Sequence, residues 1–388
     1  MASFRIYQDK ENNKENFSSN VLVRGKNAKQ PLGLLNTNKI NQKNNANPYR
    51  EKQLGGCREL QTISLAKDEV PCIPMSVDRS VKEGFSTDTE QKNEQVNPEE
   101  ATSRPSAYPE VQYQKDILAT CREGELKNRP KPLYMLLQDD ISYKMRSVLI
   151  DWLVAVAVDY RINTETLYLS VSYVDRFLSL VAVRRSVLQL VGTTALFIAS
   201  KFEEMAPPPV EELIYITDDS YTREELLQME RYMLKKLSFK LVTPTAYAFV
   251  KMYAVMCDDM SKVLKSLAMY ISELSLLKAN PFLLYLPSII SSASLALARH
   301  ILGMEMWSPQ LEQITSYKLE ALKTVILALS SHHSSAKDLK YQAIQKKYKG
   351  DHYGNVAHIE DIELTQDQFD QLFQAYEAKH KQKKPKSF

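Results

Sequence analysis

Seven charged residues stand inside or at the edges of the most apolar part of the chain. They are Arg146, Asp151, Asp175, Arg176, Lys201, Glu203 and Glu204, all within the block Met145–Glu204. An unpaired charge withdrawn from water costs on the order of several kcal/mol. These groups must therefore neutralise one another within the fold or stand at a rim that meets something else. That is the chemistry of ion pairing and recognition. Covalent chemistry has no equivalent signal: the chain holds no phosphate loop of the G-x-x-x-x-G-K-[ST] type, no G-x-G-x-x-G, no H-E-x-x-H and no G-x-S-x-G. The six histidines, His300, His332, His333, His352, His358 and His380, come late and are poorly spaced for a metal. Asp218-Asp219 and Asp258-Asp259 read as loop or capping acids. The expectation is a protein that is not an enzyme and needs no metal or cofactor.

The elements that carry these charges read as helices. DDISYKMRSVLIDWLVAVAVDY, NTETLYLSVSYVDRFLSL and RSVLQLVGTTALFIASKFEE follow one another with short connections, the third stopped by Pro207-Pro208-Pro209. Asn163 or Thr164 is placed to cap the second. VEELIYIT is a short fourth helix with Pro209 at its start. Thr222-Arg223-Glu224-Glu225 reads as a capping box that opens a fifth, to about Lys236. The plan then repeats: a helix from Thr243-Pro244 to Met256, SKVLKSLAMYISELSLL, LPSIISSASLALARHIL with Pro287 in its first turn, a short helix from Ser308-Pro309, and SYKLEALKTVILALS. No stretch asks for a strand. The fold class expected is all-α, two tandem groups of five helices, each of about 100 residues.

Residues 1–105 read as a disordered tail, rich in Asn, Gln, Lys, Glu and Ser, with twelve basic against five acidic residues up to position 67 and four against nine over 68–104. One N-terminal helix is expected within 106–130, the first repeat over 131–240, the second over 241–335, and a polar C-terminal tail over 336–388 with a weak helix near Gln366–Ala378. Only 10 glycines and a net charge of +3 favour helices and argue against strong nonspecific nucleic-acid binding. The cysteines Cys57, Cys72, Cys121 and Cys257 form no C-x-x-C pair and read as reduced thiols of an intracellular protein. No secretory signal or membrane span is apparent.

MRSVLIDWL, ETLYLSVSYVDRFLS, LQLVGTTALFIASKFEE, YITDDSYT, ELSLL and YLPS, in that order, resemble the cyclin box, and their wording is similar to A-type mitotic cyclins. The B-type cyclins and the cyclin-fold transcription or nucleic-acid adaptors are the alternatives. The resemblance spans about residues 108–335 and implies the cyclin fold, two five-helix repeats preceded by an N-terminal helix. It implies a regulatory subunit that binds and activates a cyclin-dependent kinase, in nucleus and cytoplasm, through S phase and G2/M. Five positions would hold the first repeat together or face the kinase: Arg146, Asp175, Leu190, Lys201 and Glu273. Arg146 and Asp175 would form a buried ion pair, whose breakage costs about 3–5 kcal/mol. Lys201 and Glu204 would meet the kinase with Ile198, Phe202, Glu273 and Phe282. Lys201 alone reads equally well as a donor to the last carbonyls of its helix.

Met145, Val148, Leu149 and Trp152 share one helical face, which by spacing alone reads as core. In A-type cyclins that face, with Gln189, implies an exposed groove for Arg-x-Leu segments of substrates and inhibitors. Ala155 stands where the resemblance calls for Glu, so weaker docking is expected; Ala206 and Pro209 are further departures, near the kinase face. In the tail, Lys10-Glu11-Asn12 and Lys14-Glu15-Asn16 resemble K-E-N boxes. Lys29 and Leu32 sit in KQPLGLLNTN, which is similar to a destruction box with Lys in place of the leading Arg. These imply a mitotic ubiquitin ligase as a further partner. The basic end Lys379–Lys386 reads equally as an import signal or a soluble tail.

Overall fold

The computed structural model describes residues 110–360 and 362–381. The triplets Lys10-Glu11-Asn12 and Lys14-Glu15-Asn16, with Lys29, Leu32, Cys57 and Cys72, lie outside the described residues. An N-terminal helix α1 (Glu110–Gly124) precedes five helices: α2 (Tyr143–Asp159), α3 (Thr164–Leu178), α4 (Leu188–Glu203), α5 (Val210–Tyr215) and α6 (Arg223–Lys236). The second repeat is α7 (Ala246–Met256), α8 (Lys262–Leu277), α10 (Pro287–Ile301), α11 (Pro309–Thr315) and α12 (Leu319–Ser334), with a one-turn α9 (Ala279–Phe282) between α8 and α10. Helices α13 (Ala343–Tyr348) and α14 (Gln366–Lys381) follow, and no strand occurs among the described residues.

Side-chain caps fix the starts of six of these helices. Ser142, Asn163, Thr245, Ser261 and Ser308 each accept a backbone N–H of the first turn, and Thr222 with Glu225 closes the capping box. Each such cap is worth about 1 kcal/mol. The expected start of α7 at Thr243-Pro244 is corrected by two residues. Thr245 is the cap, while the Thr243 hydroxyl accepts from Arg176 at 3.2 Å. Helix α10 begins with Pro287 and has no capping side chain of its own. Glu125, just past α1, supplies one from a distance: it accepts from the Ser288 amide at 2.9 Å and the Ser288 hydroxyl at 2.7 Å. Arg122 lies over the Tyr317 ring, 4.3 Å from its centre. The N-terminal helix is thereby tied to the second repeat.

Arg146 and Asp175 form the expected buried pair, with Nε–Oδ1 at 2.6 Å and Nη2–Oδ2 at 2.7 Å. Tyr134, in a 3-10 turn Tyr134–Leu137, donates to Asp175 at 2.7 Å. Arg146 Nη1 also donates to the Leu276 carbonyl and Ser147 Oγ to the Leu277 carbonyl, each at 2.7 Å. These are carbonyls that the end of α8 cannot satisfy itself. Leu190 is buried. Gly192 brings α4 against α2 so closely that an added Cβ would stand 2.6 Å from a Leu149 methyl.

The segment after residue 335 is corrected from a polar tail to a folded strap. Ile344, Tyr348, Val356, Leu364 and Phe369 are all buried. Helix α13 lies across α2 and α8. The Ala343 amide donates to Asp151 at 2.8 Å, and Lys347 reaches both Glu273 oxygens at 2.8 Å and the Thr164 hydroxyl at 3.3 Å. Tyr348 donates to Glu273 at 2.8 Å. Helix α14 packs on α12 through Phe369, with Lys323 paired to Asp370.

Removing the ammonium from beneath Glu273 strands a buried carboxylate. Lys347→Met is expected to lower unfolding free energy by about 3–5 kcal/mol. Glu273→Leu combined with Lys347→Met recovers at least half of that, read from urea unfolding monitored by circular dichroism.

Candidate functional site

The C-terminal end of α4 carries the charged and apolar groups that the fold leaves outside. Lys201 is 42% exposed at its side chain yet forms an ion pair with Glu230 of α6, whose side chain is only 10% exposed. The Lys201 ammonium also lies 4.1 Å from the centre of the Phe197 ring. This cation is held rather than free, and its outward side remains open. Phe202 beside it is 45% exposed and Met205 fully so, where Pro207–Pro209 prevent α4 from continuing. Phe239 is 70% exposed, just beyond the end of α6, in a turn where Ser238 and Phe239 have φ of 53° and 54°. A fixed cation beside exposed apolar side chains has the mixed character of a surface that can take a partner.

Several sequence expectations change here. Glu273 is fully buried and bound by Lys347 and Tyr348, so it does not face a partner. The carboxylate that holds Lys201 is Glu230, which sequence reasoning missed. Its signal was its place in the apolar stripe Leu226, Met229, Glu230, Met233 of α6, all buried. Phe282 is 2% exposed and lines the seam between repeats, because α9 folds it inward, so it does not add to the outer surface. Ile198 is core, one turn inside the end of α4. Glu204 remains at the rim, and its Oε1 accepts from the Asn163 amide at 2.7 Å and the Thr166 hydroxyl at 2.6 Å. It thereby helps to cap α3 and fixes the end of α4 against it.

The second expected surface is half core. Leu149 and Trp152 are buried, and Met145, Val148 and Gln189 are part-exposed. Leu149 packs directly against Gly192, so half of the stripe belongs to the core rather than to an open apolar face. Ala155 is part-exposed on the same helix. Asp151, one turn before it, is occupied by the Ala343 amide, and burial raises its pKa.

Behind the α4 surface lies one unusual carboxylate. Glu165, in the first turn of α3, accepts from the Thr245 hydroxyl at 2.8 Å. Burial is the main reason that its pKa rises to about 7, with Glu203 adding repulsion against the hydrogen bond from Thr245 and the charge of Lys251. Among the described residues no group of His, Cys, Asp and Glu is placed to hold a metal ion, and no helix is long and apolar enough to cross a membrane.

Residues 116–242 match the cyclin N-terminal domain and residues 244–362 the cyclin C-terminal domain. The chain is 37% identical to human cyclin-A2 over 336 residues, which cover 85% of this chain and 76% of that one. It belongs to the cyclin family. It is also 60% identical over 272 residues to the G2/mitotic-specific cyclin-A of Drosophila melanogaster, covering 70% of this chain and 55% of that relative's length. A cyclin of herpesvirus saimiri shares the fold, with a TM-score of 0.51 at 21% identity over 56% of this chain and 96% of the viral one. The match to the C-terminal domain extends through α13, which agrees with a strap that belongs to the folded unit.

The Glu165 carboxyl has a pKa of about 7 when folded and an ordinary value near 4.5 when unfolded. Between those values the folded protein binds the extra proton, so this group's contribution to stability is full below the lower value and is lost as pH rises through the upper one. Urea midpoints of the parent and Glu165→Gln from pH 5 to 8 check this: the parent is expected to lose ground against the variant as pH rises.

Proposed function

We propose that this cyclin is the non-catalytic subunit of a cyclin-dependent kinase and that the α4 rim is the face it presents. The observation that supports this reading most directly is Lys201, fixed by a nearly buried Glu230 at the end of α4, where Phe202 and Met205 are exposed. A protein kinase becomes competent when its strand lysine pairs with a glutamate on a mobile helix and its activation loop is ordered. A partner that binds only that state draws the population toward it and needs no catalytic group of its own. Lys201 would donate to carbonyls at the end of the kinase's mobile helix, and the aromatic and Met side chains would cover its apolar face. Glu204 would act at the rim while holding α3 and α4 together. S-phase and G2/M control, residence in nucleus and cytoplasm, and destruction through the K-E-N triplets and the Lys29–Leu32 segment belong to the same proposal. They rest on the likeness to A-type cyclins, the fly relative being nearly twice as long as the stretch matched here.

Lys201→Ala is expected to weaken kinase capture by at least about 30-fold, the loss of a central charged anchor. Unchanged capture and unchanged histone phosphorylation with the folded variant would remove Lys201 from the interface. The part-exposed Met145, Val148 and Gln189 are proposed as a dock for Arg-x-Leu segments, short of one charge at Ala155. Ala155→Glu is expected to tighten an Arg-x-Leu peptide by up to about fivefold, worth about 1 kcal/mol for an exposed pair. A fluorescence-anisotropy titration that finds equal affinities places the cation's acceptor elsewhere.

A further inference from the structure

Between the two repeats, beneath the link from α1 to α2, lies a cavity of about 110 Å³. Its apolar wall comes from both repeats: Tyr168, Val171, Leu276, Phe282, Tyr285 and Ile290. Three of its hydroxyls are already engaged. Ser275 donates to the Ser272 carbonyl at 2.6 Å, Tyr168 to the Ser272 hydroxyl at 3.2 Å, and Thr245 to Glu165 at 2.8 Å. Water entering such a space finds few partners, whereas a flat apolar ring of roughly benzene size fills it.

The charges around the cavity do not cancel. Its two carboxylates have their own cations: Asp175 is paired with Arg146 at 2.6 Å, and Glu125 lies 3.6 Å from Arg122. The guanidinium of Arg129, on the cavity wall, has no carboxylate partner among the described residues. It donates only through Nη2, to the Leu284 carbonyl at 3.0 Å and the Leu283 carbonyl at 3.5 Å. Arg176, bound to Thr243 of the same wall, likewise bonds only the Thr243 hydroxyl and the Lys240 carbonyl. Glu165, behind Thr245, is held toward its neutral form by burial. The seam therefore carries surplus positive charge beside a largely apolar, ring-sized cavity.

We propose that this cavity binds a small aromatic monocarboxylate, with the ring between Tyr168, Val171, Phe282 and Ile290 and the carboxylate on the open side of the Arg129 guanidinium. Arg129 is exposed and its carbonyl bonds anchor it, so the fork is set before a ligand arrives. Because the lining comes from both repeats, an occupant is held by both.

The full chain, without any kinase, is titrated with phenylacetate, benzyl alcohol and propionate, followed by saturation-transfer NMR and methyl shifts of Val171 and Ile290. Phenylacetate is expected to bind most tightly and to move both methyl signals. Arg129→Gln should weaken phenylacetate about tenfold and leave benzyl alcohol unchanged, as for loss of one charge-assisted hydrogen bond. Ile290→Phe, which fills the void, should abolish binding of both rings. Absence of saturable phenylacetate binding, equal binding of propionate, or indifference to Arg129→Gln overturns the proposal. The assay contains no kinase, so its outcome is independent of the α4 surface.

Discussion

The Arg146–Asp175 pair is the constraint around which the fold is arranged. Two charges at 2.6 Å in an apolar interior are tolerable only with good geometry and further hydrogen bonds in support. Here the guanidinium bonds both carboxylate oxygens and then the Leu276 carbonyl, while Tyr134 supplies a second donor to the acid. One cluster therefore joins the link after α1, two helices of the first repeat and the end of α8 in the second. Burial by itself would lower the pKa of Arg146; the charge of Asp175 outweighs that and raises it, so the pair stays ionised. The same logic recurs at Glu273, where Lys347 and Tyr348 bring the strap against the seam of the repeats.

With these interior charges satisfied by residues distant in sequence, the groups left over mark the outside. Lys201 is the informative contrast to Arg146. Both are cations with a carboxylate partner on another helix, but Arg146 is sealed on all sides and Lys201 is covered on one. A half-covered cation costs less to desolvate further and has already lost much of its side-chain freedom. Helix α4 ends there because three prolines follow, which turns its last side chains outward as a group.

Helix positions were largely readable from sequence, because capping side chains and prolines state boundaries locally: Asn163, Thr222 with Glu225, Pro287, and Ser308 with Pro309 stand where expected. The order of helices and the Arg146–Asp175 pair were also legible. The partners of charges were harder. Glu230 and Glu273 each interrupt an apolar helix, and only the tertiary fold decides which one meets Lys201. The strap was invisible because Ile344, Tyr348 and Val356 are spaced through lysines and glutamines, with no sustained apolar period, and its lysine lies within a run that reads as solvated. Phe239 was missed because its exposure follows from a left-handed turn that no residue type there demands.

The cap that Glu125 places on α10 joins residues 163 positions apart. During synthesis at about 5–20 residues per second, the donor helix leaves the ribosome roughly 8–30 s before the turn it is to cap. Over that interval the glutamate has no α10 amide to accept from, although α7, on which α1 also packs, emerges earlier. Completion of this fold is thus timed by translation of its last third.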